Sequence, residues 1–134
     1  MTPSHSTFHT LRGLRCHVRS WGRPGWRKLF LLHGWMDVSA SFQFLVDALK
    51  GEWHVIAPDW RGFGLSEWNQ GVYWFPDYLA DLDALLALFS PDEPADLVGH
   101  SLGGNAALLY AGIRPDRIRR VASLEGFGTP RTTP

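Results

Sequence analysis

The sequence predicts an α/β fold whose mainly parallel sheet lies between two layers of helices. Short apolar runs without polar alternation recur along the chain, and stretches with the apolar spacing of helices separate them. Runs of this kind are typical of parallel strands that are buried on both faces. A length of 134 residues is enough for one small domain with one hydrophobic core. We therefore predict a single three-layer α/β/α domain.

The first predicted elements are a hairpin and one buried strand. Strands at 8–11 and 15–21 pair across a turn at Gly13, and a loop rich in glycine and proline follows at 22–25. Glycine suits the turn because it adopts backbone conformations that other residues avoid. Residues 28–32 then form a continuously apolar strand, as expected inside a parallel sheet.

Three helices alternate with the remaining strands. They are predicted at 40–50, 77–89 and 102–113, where apolar residues recur at intervals of three and four. Ser39 is placed to cap the first helix, and Pro76 stands just before the second. The remaining strands are predicted at 53–57, 95–98 and 121–124. Alternation of this kind is the pattern of a parallel sheet with crossover helices.

Composition and charge exclude several classes of function. The 13 basic and 13 acidic side chains cancel, so no net charge draws the chain to nucleic acid or to an anionic membrane. Cys16 is the only cysteine, His5 and His9 lack an evident third ligand, and no dinucleotide fingerprint is present. No apolar run reaches membrane-spanning length, and the polar start at 1–10 does not resemble a signal peptide. We expect a cytoplasmic protein with no metal, no cofactor and no membrane or nucleic-acid partner.

The stretch 98–104 carries the pattern G-x-S-x-G between a predicted strand and a predicted helix. On such a strand–turn–helix the serine is held in a strained backbone conformation, so that its Oγ stands clear of the sheet. The flanking positions must be small because strand and helix meet almost backbone to backbone, and Gly99, Gly103 and Gly104 satisfy this. Ser101 is therefore a candidate nucleophile.

Acyl transfer through a serine also needs donors that hold the oxyanion. The backbone N–H of Leu102 follows the candidate nucleophile and begins the predicted helix, whose dipole favours negative charge. The Trp35 N–H, in the loop that follows strand 28–32, is the candidate second donor. His33 is expected to hold this loop by hydrogen bonds and is a poor candidate for the general base. Among the seven tryptophans, Trp35 is favoured as a pocket wall, with Trp60 or Trp74 as a further candidate.

Three motifs follow one another along the chain: His33-Gly34-Trp35, Asp59-x-Arg61-Gly62-Phe63-Gly64-x-Ser66 and Gly99-His100-Ser101-Leu102-Gly103-Gly104. In this order they resemble the α/β-hydrolase superfamily, from about residue 12 to residue 128. The stretch from His33 through Ala40-Ser41-Phe42 is similar to the serine-hydrolase-like branch. The resemblance implies the strand order 1-2-4-3-5-6, with strand six at an edge. Residues 120–124 would then present unpaired backbone groups, which predicts self-association.

The resemblance also implies roles for individual residues. Ser101 matches the nucleophile, and Leu102 and Trp35 match the amides of the oxyanion hole. Residues that match the structural support of the site are His33, Gly34, Gly99, His100 and Gly103. A serine at this position argues against haloalkane dehalogenase and epoxide hydrolase chemistry, which needs a carboxylate there. It fits esters, thioesters and related carbonyl substrates, and also carbon–carbon bond hydrolases and cofactor-free perhydrolases.

The chain departs from the family pattern after the sixth strand. Family members continue with two more strands and usually a cap, and their triad order is serine, acid, histidine. The histidines here are at 5, 9, 17, 33, 54 and 100, so none follows Ser101. His100 diverges from its neighbour's side chain, and His54 falls at the far end of the sheet. We expect that 1–134 is a hydrolase core without its last strands, cap and general base, and that 128–134 stops where a cap would begin.

Glu125 is the one candidate for the triad acid. It follows the sixth predicted strand, where some family members place this group. The other interpretation is a polar residue at a strand end, bonded to the amides of 126–128. The sequence leaves both open.

The leading prediction is a serine hydrolase that acts on small carboxylic esters or related carbonyl compounds, with its histidine outside this chain. The chain by itself would then be inactive or poorly active. The alternative is a non-catalytic fragment or pseudoenzyme that keeps the fold and binds small apolar ligands. A nucleotide-binding domain is disfavoured because the phosphate-binding fingerprint is missing.

Overall fold

The computed structural model describes residues 1–126 of the chain. Its strands are β1 (Ser4–Leu11), β2 (Leu14–Trp21), β3 (Arg27–Leu32), β4 (Trp53–Pro58), β5 (Ala95–His100) and β6 (Ile118–Leu124). Its α-helices are α1 (Gln43–Ala48), α2 (Phe75–Phe89) and α3 (Leu102–Ile113). None of the helices in residues 1–126 combines the length and apolar character that crossing a membrane requires.

The six strands form one sheet in the order β1-β2-β4-β3-β5-β6, which confirms the predicted order. The β1–β2 hairpin and its contact with β4 are antiparallel, whereas β4, β3, β5 and β6 run parallel. The carboxyl ends of β3 and β5 are in register, since Leu32 pairs with Gly99. The loops that follow these two strands therefore meet at one end of the sheet.

Alternate side chains of the central strands enter two separate cores. Phe30 and Leu32 of β3 pack with α2 and α3 on one face, whereas Leu29 and Leu31 pack with α1 on the other. All four side chains are buried, and burying each one stabilises the fold by about 1.5–3 kcal/mol. This strand is apolar along its whole length because helices cover both of its faces, as the sequence indicates. The three-layer α/β/α prediction is confirmed.

The predicted helix at 40–50 is wrong at both ends. A 3₁₀ turn at Ser39–Phe42 precedes α1, which ends at Ala48. Ser39 does not cap a helix: Val38 occupies the N-cap position, and no side chain makes a capping hydrogen bond. The Ser39 N–H instead donates to Asp59 Oδ1 at 2.6 Å, a tertiary contact that draws Ser39 into the turn.

Other elements also start earlier than predicted, and the strand predicted at 8–11 begins at Ser4. The helix predicted at 77–89 begins at Phe75, with Pro76 in its first turn, where the missing N–H costs nothing. The strand predicted at 121–124 begins at Ile118, because β6 follows β5 along its whole length. Among residues 1–126, β6 pairs with β5 alone and forms an edge of the sheet.

The carboxylate of Asp59 organises the loop that follows β4. It accepts hydrogen bonds from the backbone N–H groups of Ser39 (2.6 Å) and Leu65 (2.9 Å), and it lies 2.8 Å from His17 Nδ1. Burial raises the pKa of Asp59, but these hydrogen bonds outweigh burial and hold the pKa below its ordinary value. The carboxylate is therefore ionised and fixes the loop to two neighbouring segments.

Candidate active site

Ser101 lies in the sharp turn between β5 and α3. Its backbone has φ 50° and ψ −112°, a conformation that costs a non-glycine residue about 1–3 kcal/mol. The Ser101 N–H donates to Leu124 O at 2.9 Å, and the Asn105 N–H donates to Ser101 O at 2.9 Å. Two elements, β6 and α3, therefore hold the strained turn in place. Ser101 is half-buried in this turn.

Glycines allow the backbones around Ser101 to touch. A Cβ on Gly99 would lie 2.3 Å from Gly103 O, and a Cβ on Gly103 would lie 2.1 Å from Leu32 O. Both distances are far below ordinary contact, and the atoms that would be struck are backbone atoms. A side chain at either position would therefore push α3 away from the sheet and displace the turn.

The loop after β3 lies against the same turn. A Cβ on Gly34 would come within 3.3 Å of Ser101 Cβ and 3.0 Å of His100 Nδ1. Leu102 is the first residue of α3, where backbone N–H groups have no partner within the helix. The structure thus brings the Gly34 segment, which carries Trp35 as its next residue, beside Ser101 and the start of α3.

His33 is buried beneath this loop. The Trp60 N–H donates to His33 Nε2 at 2.9 Å, so Nδ1 carries the ring proton and donates to Gly34 O at 2.8 Å. The indole N–H of Trp60 also donates to His33 O. Burial lowers the pKa of His33, and the hydrogen bond to Gly34 O opposes this only in part. Both ring nitrogens are occupied, so His33 holds the loop and has no free atom to accept a proton from Ser101.

Aromatic side chains line a cavity beside the loop. The cavity is open to solvent, spans about 490 Å³ including that open space, and is lined by Trp35, Gly62, Phe63, Trp68 and Tyr73. The Trp35 ring is 58% exposed and stands edge-on to Phe63, with ring centroids 5.2 Å apart.

The predicted pocket tryptophans are only partly placed there. Trp35 lines the cavity, whereas Trp60 is buried in the core against Tyr78, and Trp74 stands exposed just before α2. Two residues that line the cavity, Trp68 and Tyr73, were not predicted, because they lie in an irregular loop without periodicity. Their one sequence signal is position, since they follow the motif that contains Phe63.

The histidines of the chain do not meet Ser101. Within residues 1–126, no histidine makes a hydrogen bond with the Ser101 hydroxyl. His54 pairs with Lys28 at the start of β3, the end of the sheet opposite to Ser101. Burial and the nearby Lys28 charge lower the pKa of His54. His100 is exposed and lies against Gly34.

Glu125 follows β6 directly. The preceding residue, Leu124, accepts the hydrogen bond from Ser101, and Glu125 itself is exposed with φ 57°. Its carboxylate makes no hydrogen bond or ion pair with any residue from 1 to 126. The amides of 127 and 128, like the final stretch 128–134, lie outside the described residues. Both interpretations of Glu125 therefore stay open.

Comparison with known proteins identifies the family. Residues 28–134 match the family model described as the alpha/beta hydrolase fold. The chain belongs to the α/β-hydrolase family. It is similar to a serine hydrolase-like protein of Danio rerio, with 34% identity over 81% of this chain and 33% of that protein. It is also similar to a pimeloyl-[acyl-carrier protein] methyl ester esterase of Neisseria meningitidis, with 36% identity over 75% of this chain and 37% of that protein.

A solved α/β hydrolase shows the same architecture. Epoxide hydrolase A from Mycobacterium thermoresistibile superposes with a TM-score of 0.84 and 30% identity, over 98% of this chain and 42% of that chain. The chain thus spans about a third to two fifths of the length of these relatives. These relatives are named for different reactions, such as ester and epoxide hydrolysis, so the fold by itself does not determine the reaction.

Proposed function

We propose that this α/β-hydrolase chain carries the nucleophile and the oxyanion-binding amides of a serine hydrolase for carboxylic esters or related carbonyl compounds. The observation that carries the proposal is the strained backbone of Ser101 at the β5–α3 turn. Strain of this kind persists only where surrounding structure enforces it, and it is frequent at catalytic nucleophiles. Relatives named as an esterase and a serine hydrolase-like protein support the same reaction class.

In the proposed reaction, Ser101 Oγ attacks the carbonyl carbon of a small ester. The N–H groups of Leu102 and Trp35 receive the oxyanion, and the dipole of α3 favours its charge. Loss of one such donor costs about 10²–10³ in rate in well-studied serine hydrolases. The proton passes to a histidine that is not among these 134 residues, and Glu125 is the candidate acid that orients it. The cavity beside Trp35 receives the apolar part of the substrate.

A second candidate function is the binding of small apolar ligands without catalysis. Two observations favour it: no histidine bonds Ser101 within residues 1–126, and the cavity beside Trp35 is lined mainly by aromatic rings. Stacking on aromatic rings contributes about 0.5–1.5 kcal/mol per pair beyond the area buried. Such a site would hold an aromatic ligand even without a general base.

Added imidazole separates the two candidates. We expect that imidazole replaces the absent base and accelerates release of p-nitrophenol from p-nitrophenyl esters by the wild-type chain, relative to Ser101→Ala. Ser41→Ala is the matched control, because Ser41 is an exposed serine that is bonded to a carboxylate and lies outside the β5–α3 turn. Equal rates for wild type and Ser101→Ala, with tryptophan fluorescence still quenched by an aromatic ligand, would favour the binding function.

A further inference from the structure

A serine and a histidine of the β1–β2 hairpin are hydrogen-bonded in series with an aspartate that follows β4. Ser6 Oγ lies 2.9 Å from His17 Nε2, and His17 Nδ1 lies 2.8 Å from Asp59 Oδ2. This is the order of contacts that activates a nucleophilic serine, in which a carboxylate orients the imidazole and the imidazole accepts the hydroxyl proton. Three strands separate β1 from β5, so the series is distinct from Ser101.

The hydrogen bonds to Asp59 determine which ring nitrogen of His17 can act as the base. Asp59 also accepts the N–H groups of Ser39 and Leu65, and these contacts hold its pKa low despite burial. An ionised carboxylate requires a donor at His17 Nδ1. In the neutral imidazole Nε2 then has a free lone pair, and it faces the hydroxyl of Ser6. The ring of His17 is fully buried, whereas Ser6 is exposed, so a reagent reaches this base through Ser6.

An arginine stands directly across from Ser6. Arg19 is the register partner of Ser6 in the β1–β2 hairpin, so the two side chains share a face of the sheet. Its Nη1 donates to Ser4 Oγ at 2.9 Å, but its Nε is enclosed and has no acceptor among residues 1–126. A buried donor without a partner is costly, and a guanidinium stabilises negative charge that develops nearby.

We propose that Ser6, His17, Asp59 and Arg19 form a second acyl-accepting site, which reacts with small activated carboxylic esters such as aryl esters. Ser6 Oγ forms a bond to the acyl carbon, and its proton passes to His17 Nε2. The Arg19 guanidinium faces the oxyanion of the tetrahedral intermediate. The bond from the acyl carbon to the phenolic oxygen then breaks, phenolate leaves, and His17 returns the proton to water. The product is an ester of Ser6.

The chain contains two internal controls for this site. Thr7 Oγ1 lies 2.9 Å from His9 Nε2, but no carboxylate bonds His9 within residues 1–126. Ser41 Oγ donates to Asp37 Oδ2 at 3.0 Å and also lies 2.9 Å from the backbone carbonyl oxygen of Val38, with no histidine beside it among residues 1–126. Thr7 thus tests a histidine without the acid, and Ser41 tests an acid without the histidine.

The test is to treat the wild-type chain with p-nitrophenyl acetate at neutral pH and locate acetyl groups by peptide fragmentation. General-base catalysis contributes about 10²–10⁴ in rate, so we expect acetylation of Ser6 at least about 100-fold faster than of Thr7 or Ser41. The faster acetylation of Ser6 should vanish in urea. It should persist in Ser101→Ala, so the result does not depend on the proposed role of Ser101. Acetylation of Ser6 no faster than of the two controls, or equally fast in urea, would overturn the proposal.

The release of p-nitrophenolate provides a second readout. Ser101→Ala should show a burst of up to one equivalent, and the double variant Ser6→Ala/Ser101→Ala should lack it. An undiminished burst in the double variant, with the acetyl group found elsewhere, would refute the assignment of Ser6. Arg19→Gln should slow acetylation of Ser6 while leaving Ser41 unchanged, and an unchanged rate at Ser6 would remove Arg19 from the site.

Discussion

One added methyl group at Gly103 tests the packing behind Ser101. A Cβ on Gly103 would lie 2.1 Å from Leu32 O and 2.5 Å from the carbon of the same carbonyl. Both atoms belong to the backbone of β3, so no side-chain rotation relieves the clash. Ordinary contacts are about 3.5–4.0 Å, which means that α3 must move outward by at least about 1 Å.

We expect Gly103→Ala to lower the free energy of unfolding by about 1–3 kcal/mol, the usual cost of overpacking. For a chain of this size each kcal/mol corresponds to roughly 3–5 °C in Tm. Gly112→Ala is the matched control in the same helix, because nothing lies within 4 Å of a Cβ added there. Alanine is the better helix former, so the control should be neutral or more stable by up to about 1 kcal/mol.

Urea unfolding followed by tryptophan fluorescence and far-ultraviolet circular dichroism measures both variants. A lower midpoint for Gly103→Ala, with an unchanged or higher midpoint for Gly112→Ala, is the expected result. Equal midpoints for the two variants would refute the close backbone contact between β3 and α3 at Gly103.

Three further predictions concern stability, association and binding. The pKa of His33 is lowered in the folded chain, so the unfolded chain takes up the proton first as the pH falls. The free energy of unfolding should therefore fall as pH drops below about 6.5. Urea midpoints that stay constant between neutral and mildly acidic pH would contradict this. Ala122 is exposed on the edge strand β6. If the wild type self-associates through this edge, Ala122→Lys should lower the average mass measured by sedimentation. A wild type that sediments as a stable monomer would count against self-association. Trp35→Ala should weaken binding of a naphthalene-type ligand to the aromatic cavity by about tenfold. Trp26 lies outside this cavity, so Trp26→Ala should leave the affinity unchanged. Equal losses of affinity for the two variants would exclude the cavity as the binding site.

The sheet and its connections could be predicted because local signals and the family motifs agree. Unalternating apolar runs identify buried strands, and the G-x-S-x-G motif fixes where α3 begins, although β5 extends two residues beyond its predicted end, to His100. The strand order came from the resemblance, since spacing along the chain does not say which strands are neighbours. The helix α3 begins and ends at the predicted residues, and its start is defined by glycines and the strained serine.

Features that depend on tertiary contacts could not be predicted. The 3₁₀ turn at Ser39 exists because Asp59, distant in sequence, accepts its N–H. Trp68 and Tyr73 line the cavity through the path of a loop that has no periodic pattern. The contact between Ser6 and His17 depends on the register of the β1–β2 hairpin, and a shift by one residue would place Ser6 on the other face.

The most direct test of the central claim is the position at which a fluorophosphonate attaches to the folded chain. The wild-type chain is incubated with the probe, with and without imidazole, and the adduct is located by peptide fragmentation. We predict phosphorus on Ser101 Oγ, more of it with imidazole, and none on Ser101 after unfolding in urea. A folded chain whose Ser101 stays unmodified in saturating probe and imidazole would contradict the claim that this serine is a nucleophile beside a formed oxyanion hole.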